Sequence, residues 1–448
     1  LLKEIDGVLN DDERDVMEAV AVCLGYPTTR DALTAILDGE SPRRALAALS
    51  ERFLLTISES KRGKAYSQHT IVQAFYYDQL GKRKRATLHQ RAGAYYETDD
   101  VDLLRAARHC AAAGEQTRAA QLATRDVWAL INQGQAHALR QLLESFKAES
   151  LDATQGVNVA IARGEVYDLL GEGMLARASY EAALAKLETL PDAPPVRERK
   201  ARVCRGMGEL LRAQSPPEAL EWLRRGLAFA AEAHSVEEAV LHVRIGAVLI
   251  AMGDQAAATE SLEKGLSLLP AEANGVRATA LSNLANLYLQ QGQFARAKDH
   301  TLRVLQIRQH LQDSWGIVAA RHNLGILLEI AGEWLEAEQA YRQALTLAEH
   351  VGSAPQQARE YLSLGSLAIK QGRAEQAEKQ LKRCETLAHQ HNLKRVLAYV
   401  LCNFASVHIQ RRDWDGAESV LRAAEQMAAA LNAKALLPEF IIVRRKCA

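Results

Sequence analysis

The chain has 448 residues, 48% of them hydrophobic and 25% charged, which is too long for one compact core and points to several domains or a repeat array. Formal net charge is zero, so nothing global favours nucleic acid or an anionic membrane surface. The longest apolar runs, such as "AVLIAMG" from Ala247, are far too short to span a bilayer, and no basic-then-apolar signal segment opens the chain.

The first hundred residues do not repeat. "NDDERDVMEAVAVCLG" from Asn10 opens with an Asn/Asp cap and carries a helical apolar stripe. "TTRDALTAILDGE" from Thr28 is a second short helix. "SPRRALAALSERF" is a third, with Ser41 expected as N-cap and Pro42 at the first helical position. "LLTISES", "KRGK" and "AYSQ" then read as a β-hairpin with a basic glycine turn. "HTIVQAFYYDQLG" and "KRKRATLHQRAGAYYE" follow as helices. Three helices and then a hairpin is the order of a winged helix. Such domains often bind DNA, and the basic stretches around Arg62 and Lys82–Arg85 are the best support for that use. Against it, residues 1–97 hold 14 lysines and arginines and 14 aspartates and glutamates, without the basic excess that neutralises phosphates. DNA is therefore the disfavoured partner.

Residues 98–150 read as degenerate helical hairpins turning at Gly114 and Gly134. A repeat of about forty residues follows. A small residue recurs at Gly246, Ala285, Gly325, Gly365 and Ala405, in steps of 39, 40, 40 and 40. A turn glycine recurs at Gly253, Gly292, Gly332 and Gly372, with Arg412 in the last place. An alanine recurs at Ala258, Ala297, Ala337, Ala377 and Ala417. Two looser copies precede these, around Gly164, Gly171 and Ala176, and around Gly208 and Ala219. Apolar residues between the turns recur at helical spacing, so each copy is helix–turn–helix. One such pair cannot bury its apolar face alone, and the copies must stack into a solenoid. The loop "LPDAPPVRER" (Leu190–Arg199) is the one obvious break. Residues 434–448, with "ALLPEFIIV", read as the start of a further, truncated helix. The opening at Leu1 rather than methionine adds to the expectation of an excised part of a longer protein.

The order of small residue, turn glycine and alanine resembles the tetratricopeptide repeat, in its longer variant of about forty residues. Armadillo and HEAT repeats overlap in length but lack this order. The implied fold is an all-α, right-handed tetratricopeptide-repeat superhelix over residues 151–433, preceded by a small winged-helix domain with a β-hairpin over residues 1–97.

A second resemblance rests on His69-Thr70-Ile71-Val72, followed by Arg85, Leu88, His89, Ala92, Tyr95 and Tyr96. A winged helix with these motifs, leading into a repeat array, resembles the STAND class of signal-transducing NTPases, which includes NOD-like immune receptors and the maltose-regulon activator of bacteria. Members place a P-loop ATPase first, a winged helix next and a repeat sensor last. The resemblance implies a cytoplasmic bacterial signalling protein, active in transcription control or anti-phage defence. It also implies ADP or ATP with Mg in the intact parent, an NTPase domain upstream, and oligomerisation on activation. In that class a Met-His-Asp motif of the winged helix contacts the β-phosphate of ADP and holds the closed state. His69 falls on that histidine, but Gln68 replaces the methionine and Thr70 the aspartate, and Thr70 is left to cap the helix. Read from local chemistry alone, His69 caps or packs at the strand–helix junction.

No GxxxxGK[ST], HExxH, Cys/His zinc spacing or GxSxG elbow occurs in the sequence, so no catalysis and no resident cofactor or metal are expected of this chain. The six cysteines, Cys23, Cys110, Cys204, Cys384, Cys402 and Cys447, form no CxxC pair and read as reduced thiols.

In tetratricopeptide superhelices the first helix of each pair lines the concave face. With the small residue as position 8, position 6 holds Arg244, Asn283, Asn323, Ser363 and Asn403, and position 9 adds Asn286, Ser366 and Ser406. Positions 5, 12 and 13 add His322, Gln290, Glu329, Lys370 and Gln410. Asparagine both donates and accepts, so a ladder of them suits the amides of an extended peptide. The other reading makes these asparagines part of the repeat consensus, bonding between helices. The groove charges, Arg205, Glu209, Arg212, Arg244, Glu329, Arg359 and Lys370, are mixed and choose no ligand sign. The expected ligand is a protein, peptide or small molecule, and the rival functions are a DNA-binding regulator and a passive scaffold.

Overall fold

A computed structural model describes residues 2–60, 62–233, 236–272 and 274–430. The further helix expected over residues 434–448 lies outside the described residues. The chain divides into two compact units, residues 1–233 and 234–448.

The first unit opens with α1 (Leu2–Gly7), α2 (Asp11–Ala21), β1 (Thr28–Thr29), α3 (Arg30–Ile36) and α4 (Arg43–Glu51). Asn10 and Glu13 form a reciprocal capping box at the start of α2, with bonds of 2.8 and 3.1 Å. The third helix starts one residue later than expected: Pro42 is the N-cap, no side chain caps it, and Arg43 is the first helical residue. β2 (Thr56–Ser60) and β3 (Gly63–Ser67) form the expected hairpin, with Ile57 opposite Tyr66 and Glu59 opposite Lys64. The short β1 adds a third antiparallel strand, in the order β1-β3-β2, pairing Thr28 with Tyr66. Two residues between turns leave no periodicity to read, so β1 was invisible to pattern analysis. α5 (Thr70–Gln79) and α6 (Lys82–Thr98) close over a core of Met17, Val20, Leu33, Ile36, Leu46, Leu49, Tyr76 and Leu88.

α7 (Leu103–Ala112) and α8 (Gln116–Arg125) turn at Gly114, and α9 (Val127–Asn132) and α10 (Ala136–Ser145) at Gly134. Both glycines have positive φ, +90° and +77°. Two longer pairs complete the unit: α11 (Ala153–Leu169) with α12 (Gly173–Glu188), and α13 (Pro194–Leu211) with α14 (Pro216–Ala233). The expected break at Leu190–Arg199 is shorter than read. From Pro194 onward it is already α13, because proline fits the first helical turn, where its missing N–H has no partner to lose.

The described residues of the second unit form five pairs: α15 (Val236–Met252) with α16 (Gln255–Leu268), α17 (Asn274–Gln290) with α18 (Phe294–His310), α19 (Ser314–Ile330) with α20 (Trp334–His350), α21 (Ala354–Lys370) with α22 (Ala374–Gln390), and α23 (Lys394–Gln410) with α24 (Trp414–Ala430). The repeated small residue permits close approach within each pair. A Cβ on Gly325 would lie 2.5 Å from the Tyr341 ring, and one on Gly246 would lie 2.6 Å from Leu262. Neighbouring pairs are tied along their turns by Lys298–Glu333 (3.0 Å), Arg373–Glu338 (3.0 Å) and Arg411–Glu378.

Candidate functional site

The five first helices of the second unit each present the same stripe outward. Positions 1, 3, 8 and 10 are buried in every copy, as with Ala278, Ala280, Ala285 and Leu287 of α17. Positions 2, 6, 9 and 13 are half-buried or exposed in every copy. That spacing is one helical face. In α17 the stripe reads Thr279, Asn283, Asn286, Gln290; in α21, Arg359, Ser363, Ser366, Lys370; in α23, Tyr399, Asn403, Ser406, Gln410. Within the unit α15 packs on α17, α19 on α21 and α21 on α23, which sets the stripes of each of these pairs of first helices beside one another.

Asn283 and Asn323 are half-buried, and among the described residues neither side chain makes a hydrogen bond. Asn403 donates from Nδ2 to the Tyr399 carbonyl of its own helix at 2.9 Å. None of the three bonds between helices, so the consensus reading finds no support in their geometry. Ser363 is half-buried, Asn286 is exposed, and Ser406 reaches back to the Cys402 carbonyl at 3.4 Å. Arg244 is half-buried and has interactions of its own.

Five expected groove residues, His322, Glu329, Lys370, Gln410 and Gln290, are engaged elsewhere. His322 is 8% exposed, and its Nδ1 lies 3.0 Å from Glu360 Oε2, so position 5 faces inward in this copy. Glu329 accepts from the Tyr341 hydroxyl at 2.9 Å and from Lys370 of the next pair. Gln410 donates to the Ile369 carbonyl, and Gln290 accepts from Gln255 Nε2 at 3.4 Å. Positions 12 and 13 thus serve largely as ties between repeats. Burial, and the charge of Glu329, raise the Tyr341 phenol far above its usual range.

In the first unit His69 is exposed and is itself the N-cap of α5, its Nδ1 accepting from the Ile71 N–H at 3.4 Å. Thr70, expected to cap, is instead the first helical residue. Gln68, in the methionine's place, donates from Nε2 to the Met17 carbonyl at 2.8 Å. The second half of the motif is structural. Arg85 Nη2 donates to the carbonyls of Tyr77 (2.7 Å) and Leu80 (3.1 Å) and lies over the Tyr77 ring.

The structure adds a group that the sequence did not reveal. His89 Nδ1 lies 2.9 Å from His109 Nδ1, and both residues are fully buried. The Tyr77 hydroxyl meets His89 Nε2 at 3.1 Å, and the Tyr96 ring stacks on His109. Burial, with the Arg85 charge, pushes His89 down to about 4; burial, then His89 and Arg105, push His109 down to about 3. His109 lies 20 residues after His89 and outside the motif, and only the packing of α6 on α7 brings it there.

Of the cations that supported a DNA-binding wing, Arg62 pairs with Asp100 (3.1 Å) and Lys84 with Asp15 and Glu18 (2.7 and 2.5 Å). Among the described residues no cluster of His, Cys, Asp and Glu could hold a metal, and no helix is long and apolar enough to cross a membrane. Cys23, Cys110, Cys204, Cys384 and Cys402 are buried free thiols; Cys447 lies outside the described residues.

This architecture is a tetratricopeptide-type α-solenoid with a small three-stranded sheet near its start. Residues 276–350 and 316–390 match the sequence model of the tetratricopeptide repeat, so α17 to α22 lie within repeats of that kind. No curated protein matches the sequence. Among solved structures, the chain is similar to a Signal Transduction ATPase with Numerous Domains (STAND) protein with a tetratricopeptide repeat sensor from Pyrococcus horikoshii, at 14% identity and a TM-score of 0.68. That match covers 98% of this chain and 66% of the other, so the chain spans just under two thirds of that protein's length. The apo form of the quorum sensor NprR from B. thuringiensis is similar at 15% identity and a TM-score of 0.55, covering 77% of this chain and 98% of that one. At these identities the likeness shows the fold.

Proposed function

We propose that the chain is the sensing and regulatory part of a bacterial STAND-class NTPase, and that the open face of the first helices in the second unit binds an extended protein or peptide segment. The observation that carries the binding reading is the pair Asn283 and Asn323. They stand 40 residues apart, half-buried, on the outward stripe of successive first helices, with amides that no described residue satisfies. A polar group held in that state is costly unless water or a ligand completes it. Main-chain amides of an extended segment offer both the donors and the acceptors required. NprR, of similar fold, is a quorum sensor by name, and the Pyrococcus protein carries a repeat sensor by name.

In this reading residues 1–97 are a winged helix, 98–150 degenerate hairpins and 151–433 the sensor. Nucleotide hydrolysis belongs to a P-loop domain of the parent. His69 fits a phosphate contact: the residue is exposed, and with Nδ1 accepting from Ile71 the ring's donor is Nε2. ADP bound there would supply the negative charge that holds the closed state. A ligand with higher affinity for the open state shifts the equilibrium by that difference.

The binding test uses peptides selected from a displayed random library on the immobilised chain. Asn283→Ala with Asn323→Ala should weaken their binding and leave the melting temperature unchanged. A lowered melting temperature with unchanged binding would make the asparagines structural. For the switch, His69→Ala in the full-length parent should raise basal activity and speed ADP release. Unchanged ADP retention would reduce His69 to a helix cap.

A further inference from the structure

The helix that precedes α11 is short. α10 has 10 residues, whereas α18, α20 and α22 have 17 each, so α10 stops about two turns early. In the second unit those last turns cover the next first helix. Leu345 of α20 packs in one cluster with Leu364 of α21, and Leu266 of α16 in one with Leu281 of α17. Leu345 and Leu266 each stand 13 residues beyond their turn glycine; 13 beyond Gly134 is Lys147, past the end of α10 at Ser145. Leu364 and Leu281 stand at positions 7 and 4 of their helices, and with Gly164 as position 8 those places on α11 belong to Arg163 and Ala160. Both line an open groove of about 290 Å³ between the loop after α10, α11 and α12. Phe146 and Leu151 of the loop and Val159 of α11 form its floor and one wall, and Leu175, Ala178 and Ala182 of α12 form the other.

The α12 wall departs from the other copies. Two residues after the repeat alanine, here Ala176, stands Ala178, where the second unit carries Glu260, Asp299, Gln339, Lys379 and Ser419. Six residues after it stands Ala182, where four of those copies carry Lys264, Arg303, Gln343 and Arg383. A polar outer face has become small and apolar, and Leu175, Ala178 and Ala182 are all exposed. Ten residues after the alanine the change runs the other way: Lys186 replaces Leu268, Ile307, Leu347, Leu387 and Met427. Gly156 makes room for it, since a Cβ there would lie 3.3 Å from Lys186 Nζ. The Lys186 ammonium has no hydrogen bond or ion pair among the described residues, and no aspartate or glutamate lines the groove. Arg163, the other cation, donates to the Leu143 and Phe146 carbonyls at the end of α10. Leu175, Ala178, Ala182 and Lys186 follow one another at spacings of three and four, along one face of α12 for about 16 Å.

We infer that this groove is a docking site for a short amphipathic helix of another polypeptide, seated where the last turns of α10 would otherwise lie. The equivalent surface of the second unit is covered by a helix, so the space has the shape of one. The apolar strip suits a helix with apolar residues at i, i+3 or i+4, and i+7. The unpaired Lys186 at one end favours an acidic residue at the matching end of the partner, which sets its direction. This surface belongs to the first unit and is independent of the outward stripe of the second.

The test displays a library on a helical scaffold with one face randomised, selects it on the immobilised full-length chain, and measures the affinity of the selected helices. They should be apolar along one face, with an acid towards one end. Ala178→Glu and Ala182→Arg place at exposed positions the residues that other copies carry, so the melting temperature should not change. Each should weaken binding about ten-fold or more. Lys186→Leu should keep the binding and remove the preference for the acid. Asn283→Ala with Asn323→Ala should leave these affinities unchanged. Selected helices that tolerate both Ala178→Glu and Ala182→Arg overturn the site. Dodecanoate binding abolished by Ala182→Arg, with no helix selected, assigns the groove to an acyl chain and overturns the helix. Dimerisation of the chain abolished by Ala182→Arg, seen by sedimentation, makes the occupant a second copy and overturns the separate partner.

Discussion

Arg412 shows at one position how strictly the turn geometry is imposed. It stands where the other copies have glycine, and its φ of +62° lies beside +79° at Gly332 and +73° at Gly372. A side chain in that region costs about 1 kcal/mol relative to glycine. Arg412→Gly should therefore stabilise the second unit by about 1 kcal/mol, read as a raised denaturation midpoint. The His89–His109 pair predicts a pH dependence. Both groups titrate near 6.5 when unfolded and are held neutral in the fold, near 4 and 3. The unfolded chain thus takes up protons first as pH falls. The stability contribution is complete above pH 6.5 and declines as pH falls towards 4, by about 3 kcal/mol for His89 alone. Urea titrations between pH 7 and 4 should show a falling midpoint, with a shallower fall in His109→Phe. Equal slopes in the two proteins would assign the acid sensitivity to other groups.

At the scale of the element, the repeat depends on which residue fills the space opposite the small position. In the α19–α20 pair that residue is Tyr341, 1% exposed, its hydroxyl tied to Glu329. The ring cannot swing away, so Gly325→Ala should destabilise by about 1–3 kcal/mol. Gly365→Ala faces the more adaptable Leu381 side chain at 2.8 Å and should cost less. Chemical denaturation of the two variants side by side measures the difference. The ion pairs along the turns contribute differently. Lys298–Glu333 and Arg373–Glu338 join partly exposed groups, and each is worth less than about 1 kcal/mol. Their regular 35-residue spacing fits a role in setting the register between neighbouring pairs more than in supplying stability.

For the whole molecule, the formal charge of zero is matched locally: on the second unit's open face Lys370 pairs with Glu329, and Arg359 with the buried Glu360. In the first unit Arg62 in the hairpin turn and Lys84 on α6 are likewise paired with acids, leaving less free basic charge than the sequence implied. A gel-shift assay with the chain should show no tight, sequence-preferring DNA binding; finding it would favour the rival function.

Helix positions, turn glycines and the forty-residue repeat were all legible in the sequence, because each depends on spacing along one chain: 3.6 residues per turn, one positive-φ residue at the turn inside each pair of the second unit, one small residue at each crossing. The outward stripe was legible for the same reason, since positions 6 and 9 belong to one helix face. What the stripe offers a ligand was not. His322 and Glu329 sit at plausible groove positions, but their partners, Glu360 and Lys370, lie 38 and 41 residues away on the neighbouring first helix. The His89–His109 pair and the two-residue β1 likewise depend on contacts between distant segments. Local sequence determined the elements, their order and the face each presents. Only tertiary packing decided which charges cancel, which polar groups remain unsatisfied and where a ligand finds a partner, because those are pairings between helices that no periodicity records.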